Sequence, residues 1–271
     1  MRQLEPIMVA RVNERRQARA LRELADEAVE VGGGVMCFSR GVPWINHATG
    51  VGLASAAGPD ELRAVEAFYR ERAVQPKIEM TVFATEAFLA HLGERGFVVE
   101  HFETVLARAL GPGPIDPDGP GRCDGLVIER TDPADPERCR LHSRLVGSGF
   151  QTEPLSEAMI EMGVRAIRHP RSLAFMAFVQ GEPAGACGME IFEQEGARAC
   201  ALWGTTVLAP FRRRGIQRAL IGHRLAFAAE RGCTLAIIES KPGIATERNA
   251  ARLGFGLAYT RVCMAQRERA Q

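Results

Sequence analysis

Val207-Leu208-Ala209-Pro210-Phe211-Arg212-Arg213-Arg214-Gly215-Ile216-Gln217-Arg218-Ala219-Leu220 takes an apolar strand into three arginines, a glycine and an amphipathic helix. A helix start leaves backbone N–H groups unpaired and carries partial positive charge, so it suits an anion such as phosphate. Gly215 would let the backbone approach that anion with no Cβ in the way. The arginines would add charge-assisted hydrogen bonds. The same residues would also suit a solvated basic turn, so the segment alone leaves both readings open.

Working outward, the helix over Gly215–Arg231 is stopped by Gly232. A β-branched, apolar strand follows at Thr234–Glu239, then a helix over Ala245–Leu253 and a strand over Leu257–Ala265. Upstream, Leu173–Val179, Pro183–Glu193 and Arg198–Leu208 read as strands, with turns at Gln180-Gly181-Glu182 and around Gly196. Before them come a short strand, Leu126–Arg130, and helices over Pro136–Val146 and Ser156–His169. Gly111–Gly125 has nine Gly or Pro among fifteen residues and reads as a linker between 1–110 and 126–271.

The first half carries echoes of the second. Phe68-x-x-Glu71-Arg72 returns as Phe227-x-x-Glu230-Arg231, Trp44 as Trp203, and Gly96-Phe97 as Gly254-Phe255, at offsets of 158 or 159. Several matches in order at nearly one spacing suggest a duplication. The first half then reads as a strand near Trp44, a helix over Pro59–Arg72, a strand over Ile78–Phe83, a helix over Thr85–Arg95 and a strand over Val98–Ala107.

Composition narrows the function classes. The 271 residues are 46% hydrophobic and carry a formal charge of +1, which excludes a disordered chain and a generally basic nucleic-acid binder. Arg212–Arg214 has no set of stacking aromatics beside it, which ranks a nucleic-acid partner low. Seven cysteines without a C-x-x-C pair support neither a disulfide framework nor a zinc ribbon, so no metal is expected. Several of them sit in apolar runs as small hydrophobes. Met1–Arg11 lacks the apolar stretch of a secretory signal, and no segment is long and apolar enough for a membrane span. A reducing cytoplasm is the expected home. The sequence leaves the oligomeric state open.

With its strand, loop and helix in that order, Arg212-x-x-Gly215-x-Gln217 resembles the pyrophosphate motif of the GNAT superfamily of acyl-CoA-dependent N-acyltransferases. Gln217 departs from the family's small residue there. The resemblance covers 126–267, where Thr246-Glu247-Arg248-Asn249-Ala250-Ala251-Arg252-Leu253-Gly254-Phe255 looks like the family's last helix and Gly-Phe. It implies an α/β (α+β) fold of two GNAT-like domains, each a mixed, mostly antiparallel sheet flanked by helices. Residues 126–271 would form the catalytic domain, and 1–110 a degenerate copy without the cofactor motif.

The resemblance also implies roles. Val207, Leu208 and Ala209 would meet the pantetheine amides of acetyl-CoA or another acyl-CoA. Arg212, Arg213, Arg214, Gly215, Ile216, Gln217 and Arg218 would hold the pyrophosphate, with Ala219 nearby. Thr246 and Asn249 would approach the pantetheine from the other side. A backbone N–H near Val207–Leu208 would serve the oxyanion. Acetyl transfer to a primary amine, small molecule or peptide, follows as the expected reaction by direct attack in a ternary complex. Glu239 is the candidate base, with Glu190 on a neighbouring strand as the other carboxylate. The family's usual tyrosine acid falls on Ala250, and neither Tyr69 nor Tyr259 matches its place. The alternative reading is a catalytically weak acyl-CoA-binding or regulatory module.

Overall fold

The computed structural model describes residues 4–111, 123–150 and 154–267. They form two compact units whose boundary does not follow the linker. Most of the Gly/Pro-rich stretch, 112–122, lies outside the described residues.

The first unit comprises Leu4–Val105 together with residues 257–267. It opens with α1 (Pro6–Leu24), followed by β1 (Glu27–Val31) and β2 (Gly34–Phe38). The β1–β2 turn is Gly32-Gly33 with φ of +52° and +77°, a pair of left-handed residues that matches the twist of an antiparallel hairpin. After β3 (Ala48–Thr49) come α2 (Pro59–Arg70), β4 (Lys77–Thr81), α3 (Glu86–Glu94) and β5 (Phe97–Ala109). The strand expected near Trp44 is instead a 3-10 turn, Pro43–Ile45. Pro43 has no N–H to give a ladder.

The second unit, Leu106–Gly256, holds β6 (Leu126–Arg130), α4 (Pro136–Gly147), α5 (Glu157–Arg168), β7 (Ser172–Val179), β8 (Glu182–Gln194), β9 (Ala197–Val207), α6 (Ile216–Glu230), β10 (Leu235–Ser240) and α7 (Ala245–Arg252). Local chemistry explains the boundaries. Asp135 accepts the N–H groups of Glu137 and Arg138 at the start of α4, and Ser156 accepts that of Met159 at the start of α5. Gln180-Gly181 and Glu195-Gly196 close the hairpins with positive φ at both residues. Phe175, Ala177 and Val179 of β7 pack with Leu220, Ile221 and Leu225 of α6. The alternating residues Ala174 and Met176 pack with Cys139, Val164 and Leu145 of α4 and α5. The sheet is thus covered on both faces.

The last strand, β11 (Gly256–Gln266), does not stay with this unit. From Leu257 it belongs to the first, antiparallel to β4 with Val262 opposite Met80. Conversely β5 leaves the first unit after Val105, and its end lies beside β10 in the second sheet. The strand order is therefore β1-β2-β3-β4-β11-β5 in the first unit and β5-β10-β9-β8-β7-β6 in the second. The run β4, α3, β5 recurs as β10, α7, β11 at offsets of 158 or 159, so each run's final strand is lodged beside the other run's strand.

β11 brings two residues into a buried polar cluster under α1. Arg261 Nη2 and Nε donate to Glu14 Oε1 at 2.9 and 3.1 Å, and Nη1 to Glu103 at 3.2 Å. Tyr259 Oη donates to the same Glu14 oxygen at 2.5 Å. Gln17 Nε2 donates to Glu79 at 2.8 Å, and His47 Nε2 stands 3.3 Å from that carboxylate. Burial alone would raise the Glu79 carboxyl, but His47 and Arg261 outweigh it and hold its pKa down to about 2. Burial would lower His47, and Glu79 overrides it so that the imidazole titrates above its ordinary value.

Among the described residues, no helix is long and apolar enough to cross a membrane. All seven cysteines are free and buried.

Candidate acyl-CoA site

The loop between β9 and α6 is built to present backbone. A 3-10 turn, Ala209–Phe211, ends β9, and Arg213 and Gly215 then take φ of +64° and +82°. Such a conformation is rare for an arginine and suits functional loops. Gly215 is the N-cap of α6, no side chain caps it, and the first turn contains no acidic residue. Arg212, Arg213 and Arg214 are exposed around this helix start. Arg212 Nε donates to Val207 O at 3.1 Å, and the Arg214 guanidinium lies 5.7 Å from the Phe211 ring centre. Ile216 and Ala219 are buried beneath the first turn, so their side chains face the core and only their backbone is left toward an anion.

Gln217, the departure from the family's small residue, turns toward α7. It donates from Nε2 to Thr246 Oγ1 at 2.9 Å and accepts from Asn249 Nδ2 at 2.6 Å. Three predicted site residues on two helices are thereby joined in one chain of hydrogen bonds.

β9 and β10 run parallel, but their paired stretch ends at Ile238 against Leu202, while β9 continues to Val207 and β10 to Ser240. Beyond that pair neither strand end has a register partner in the other, and this is where the resemblance would place the acyl-CoA cleft. On its other side β9 pairs with β8 through a bulge: Ala186 faces Thr206 but Gly188 faces Trp203, so β9 spends one residue more than β8. Gly204 sits in the bulge with φ +62°. A Cβ on Gly188 would fall 2.3 Å from the Trp203 ring, so only glycine lets the indole lie there. The N–H of Leu208, expected to be free for an oxyanion, donates instead to Ala184 O at 2.9 Å. Of the Val207–Leu208 pair this takes up Leu208, while Val207, opposite Gly185 in the alternating antiparallel ladder, turns its N–H away from β8.

Ala236 and Ile238 face α6, so Glu239 alternates to the opposite side of β10, beside the position reached by Trp203. It is half-buried. Glu190 is committed elsewhere, accepting from Arg171 Nε at 2.8 Å.

Three histidines and the positions considered for a tyrosine acid are held in structural contacts. His142 Nε2 donates to Cys187 O at 2.9 Å, and burial pushes its pKa down to about 4. His223 packs edge-on to Phe175, and His169 Nδ1 accepts the N–H of Arg171. Ala250 is buried in the core under α7, a methyl group where the resemblance would place a tyrosine. Tyr259 belongs to the first unit, tied to Glu14.

Among the described residues one group brings metal-ligating atoms together: Glu100, His101 and Cys263. Lys77 Nζ takes both oxygens of Glu100 at 2.7 and 2.9 Å, and burial pushes the Cys263 thiol up to about 12. A protonated thiol and an occupied carboxylate make poor ligands.

A bulged strand whose pairing with its parallel neighbour stops short, followed by a basic, uncapped helix start, is the arrangement that the resemblance to acyltransferases of the GNAT class implies. Residues 138–255 match the family described as "Acetyltransferase (GNAT) family".

Three solved structures are similar along most of their length. One is a GCN5-related N-acetyltransferase from Kribbella flavida, 18% identical over 94% of this chain and 96% of that one, with a TM-score of 0.68. Another is a tandem GNAT protein from the clavulanic acid biosynthesis pathway, 15% identical over 99% and 98%, TM-score 0.62. The third is a GCN5-related N-acetyltransferase from Sphaerobacter thermophilus, 18% identical over 81% and 71%, TM-score 0.59. At these identities the likeness is one of fold. No curated protein matches the sequence significantly.

Proposed function

We propose that the second unit transfers an acetyl group from acetyl-CoA to a primary amine. The observation that carries this reading is the α6 start, where Gly215 exposes backbone N–H groups, no carboxylate competes, and three arginines surround the anion's place. Bound acetyl-CoA supplies the acyl group as an activated thioester. The pyrophosphate would rest on Arg212–Arg218 and the pantetheine would run along Val207–Ala209 in the cleft. Thr246 and Asn249, already held by Gln217, would form the cleft's other side.

α2 of the first unit is an instructive contrast. Its start holds Asp60 and Glu61, and Glu61 accepts the Gly58 N–H at 2.8 Å. Ile45–Pro59 has no Lys or Arg. A helix terminus already neutralised by its own carboxylates does not attract a pyrophosphate. Calorimetry of the intact chain should give one acetyl-CoA site. Two sites, or none, would contradict this assignment.

Glu239 serves as the base that takes the amine's proton; strand alternation, which turns it to the face opposite α6, supports this reading. General bases contribute about 10²–10⁴ in rate. Glu239→Gln should therefore reduce thiol release from acetyl-CoA with an amine library by about 10²-fold or more, at unchanged acetyl-CoA affinity. An equal rate would remove Glu239 from the mechanism and favour an acyl-CoA-binding module if wild type were also inert.

No tyrosine serves as the acid. Tyr259→Phe should leave turnover unchanged while costing about 1.5–3 kcal/mol of stability through the lost bond to the Glu14 carboxylate. Lost turnover in the folded variant would require the site to be redrawn.

A further inference from the structure

Arg224 lies on α6, whose first turn forms the anion site, and it is completely buried. Among the described residues no carboxylate pairs with it. An uncompensated buried guanidinium costs several kcal/mol unless its donors are well used. Here they are spent on the bulge. Nη1 donates to Gly188 O at 2.6 Å and to Trp203 O at 3.3 Å, Nη2 to Thr205 Oγ1 at 2.7 Å, and Nε to Leu220 O at 3.0 Å on its own helix.

The acceptors on Gly188, Trp203 and Thr205 lie where the β8–β9 register shifts, and Gly204 and Thr205 have no register partner on either neighbouring strand. The direction of the bonds matters. Trp203 O is drawn toward α6, and in a planar trans peptide the N–H of the next residue points the opposite way. The Gly204 N–H is thus turned away from α6, toward the face of the sheet that carries Trp203 and Glu239. A cation on one end of a peptide unit also polarises it and makes its N–H a stronger donor.

From this we infer that Arg224 is a positioning residue for acyl transfer. By fixing the Trp203–Gly204 peptide it aims and strengthens the N–H that polarises the thioester carbonyl. It also links that donor rigidly to the helix that holds the pyrophosphate. The inference rests on the acetyl-CoA reading above.

The test uses the intact protein with acetyl-CoA carrying ¹³C at the carbonyl. In the wild type the bound carbonyl resonance should move downfield of free acetyl-CoA. In Arg224→Met it should return toward the free position with the calorimetric dissociation constant unchanged, and Arg224→Lys should restore part of the displacement. Thr205→Val, which removes one acceptor and keeps the charge, should give a smaller return. A wild-type resonance retained in Arg224→Met overturns the inference. Should that variant fail to fold, an unchanged resonance in both Arg224→Lys and Thr205→Val overturns it. No displacement in a wild type that binds acetyl-CoA also overturns it. A wild type that does not bind acetyl-CoA instead refutes the underlying reading, and the two failures are distinguishable by calorimetry.

Discussion

Gly215→Val should abolish measurable acetyl-CoA binding in a protein that still folds. Two effects act together. A β-branched residue in the left-handed region at +82° costs about 1–2 kcal/mol and moves the loop. The new Cβ and its methyls would also occupy the place where backbone meets phosphate. Arg212→Ala should raise the dissociation constant by about 10–150-fold, the loss of one charge-assisted hydrogen bond at about 1.5–3 kcal/mol. The Arg212/Arg214 double substitution should leave no tight binding. Calorimetry measures all three, with far-UV circular dichroism as the check on folding. Wild-type affinity in both Gly215→Val and Arg212→Ala would remove the anion from this loop.

The largest stability effect should come from Arg261→Met. Arg261 is one of the most deeply buried charges in the chain, and its guanidinium meets Glu14, Glu103 and, at 3.5 Å, Glu79. Methionine fills much of the same volume but leaves those carboxylates buried without their cation. Breaking a buried pair from one side costs about 3–5 kcal/mol. With urea slopes of about 1–3 kcal/mol per molar, the midpoint of the first unit should fall by about 1 M or more. Acetyl-CoA binding by the second unit, measured without urea, should separate this loss from damage to the site. An unchanged midpoint would mean that the cluster contributes nothing to stability.

The second unit was legible because its signals are local. X-Gly hairpin turns, Asp135 and Ser156 caps, and glycines after helices mark each boundary within a residue or two. α1 carries no such signal. Its buried face includes Asn13, Glu14, Arg16 and Gln17, so the apolar periodicity of an inward helix face is missing. The Trp44–Trp203 match misled, since Trp44 sits on a 3-10 turn and Trp203 beside a bulge.

At the site, the exposed arginines and the glycine helix start at Arg212–Gly215 could be read directly from the sequence, but the use made of Gln217 could not. Glutamine looks too large for the motif until Thr246 and Asn249 are seen to hold it aside. Arg224 was invisible for a similar reason. In sequence it is one more arginine on an amphipathic helix, and only the shifted register of β8 and β9 shows what it holds.

The passage of β11 into the first sheet has a consequence for how the protein is made. Domains commonly fold in turn as the ribosome releases them, at about 5–20 residues per second. The first unit cannot follow that schedule. β4 waits for its neighbour, and Glu14 for Arg261, until residues 257–266 have emerged. The second unit meets no such delay from that end, because its other sheet partner, the end of β5, is synthesised early. The half that is translated first is therefore completed last. During that interval its unpaired strand is exposed to other nascent chains, and a truncated transcript leaves it permanently open.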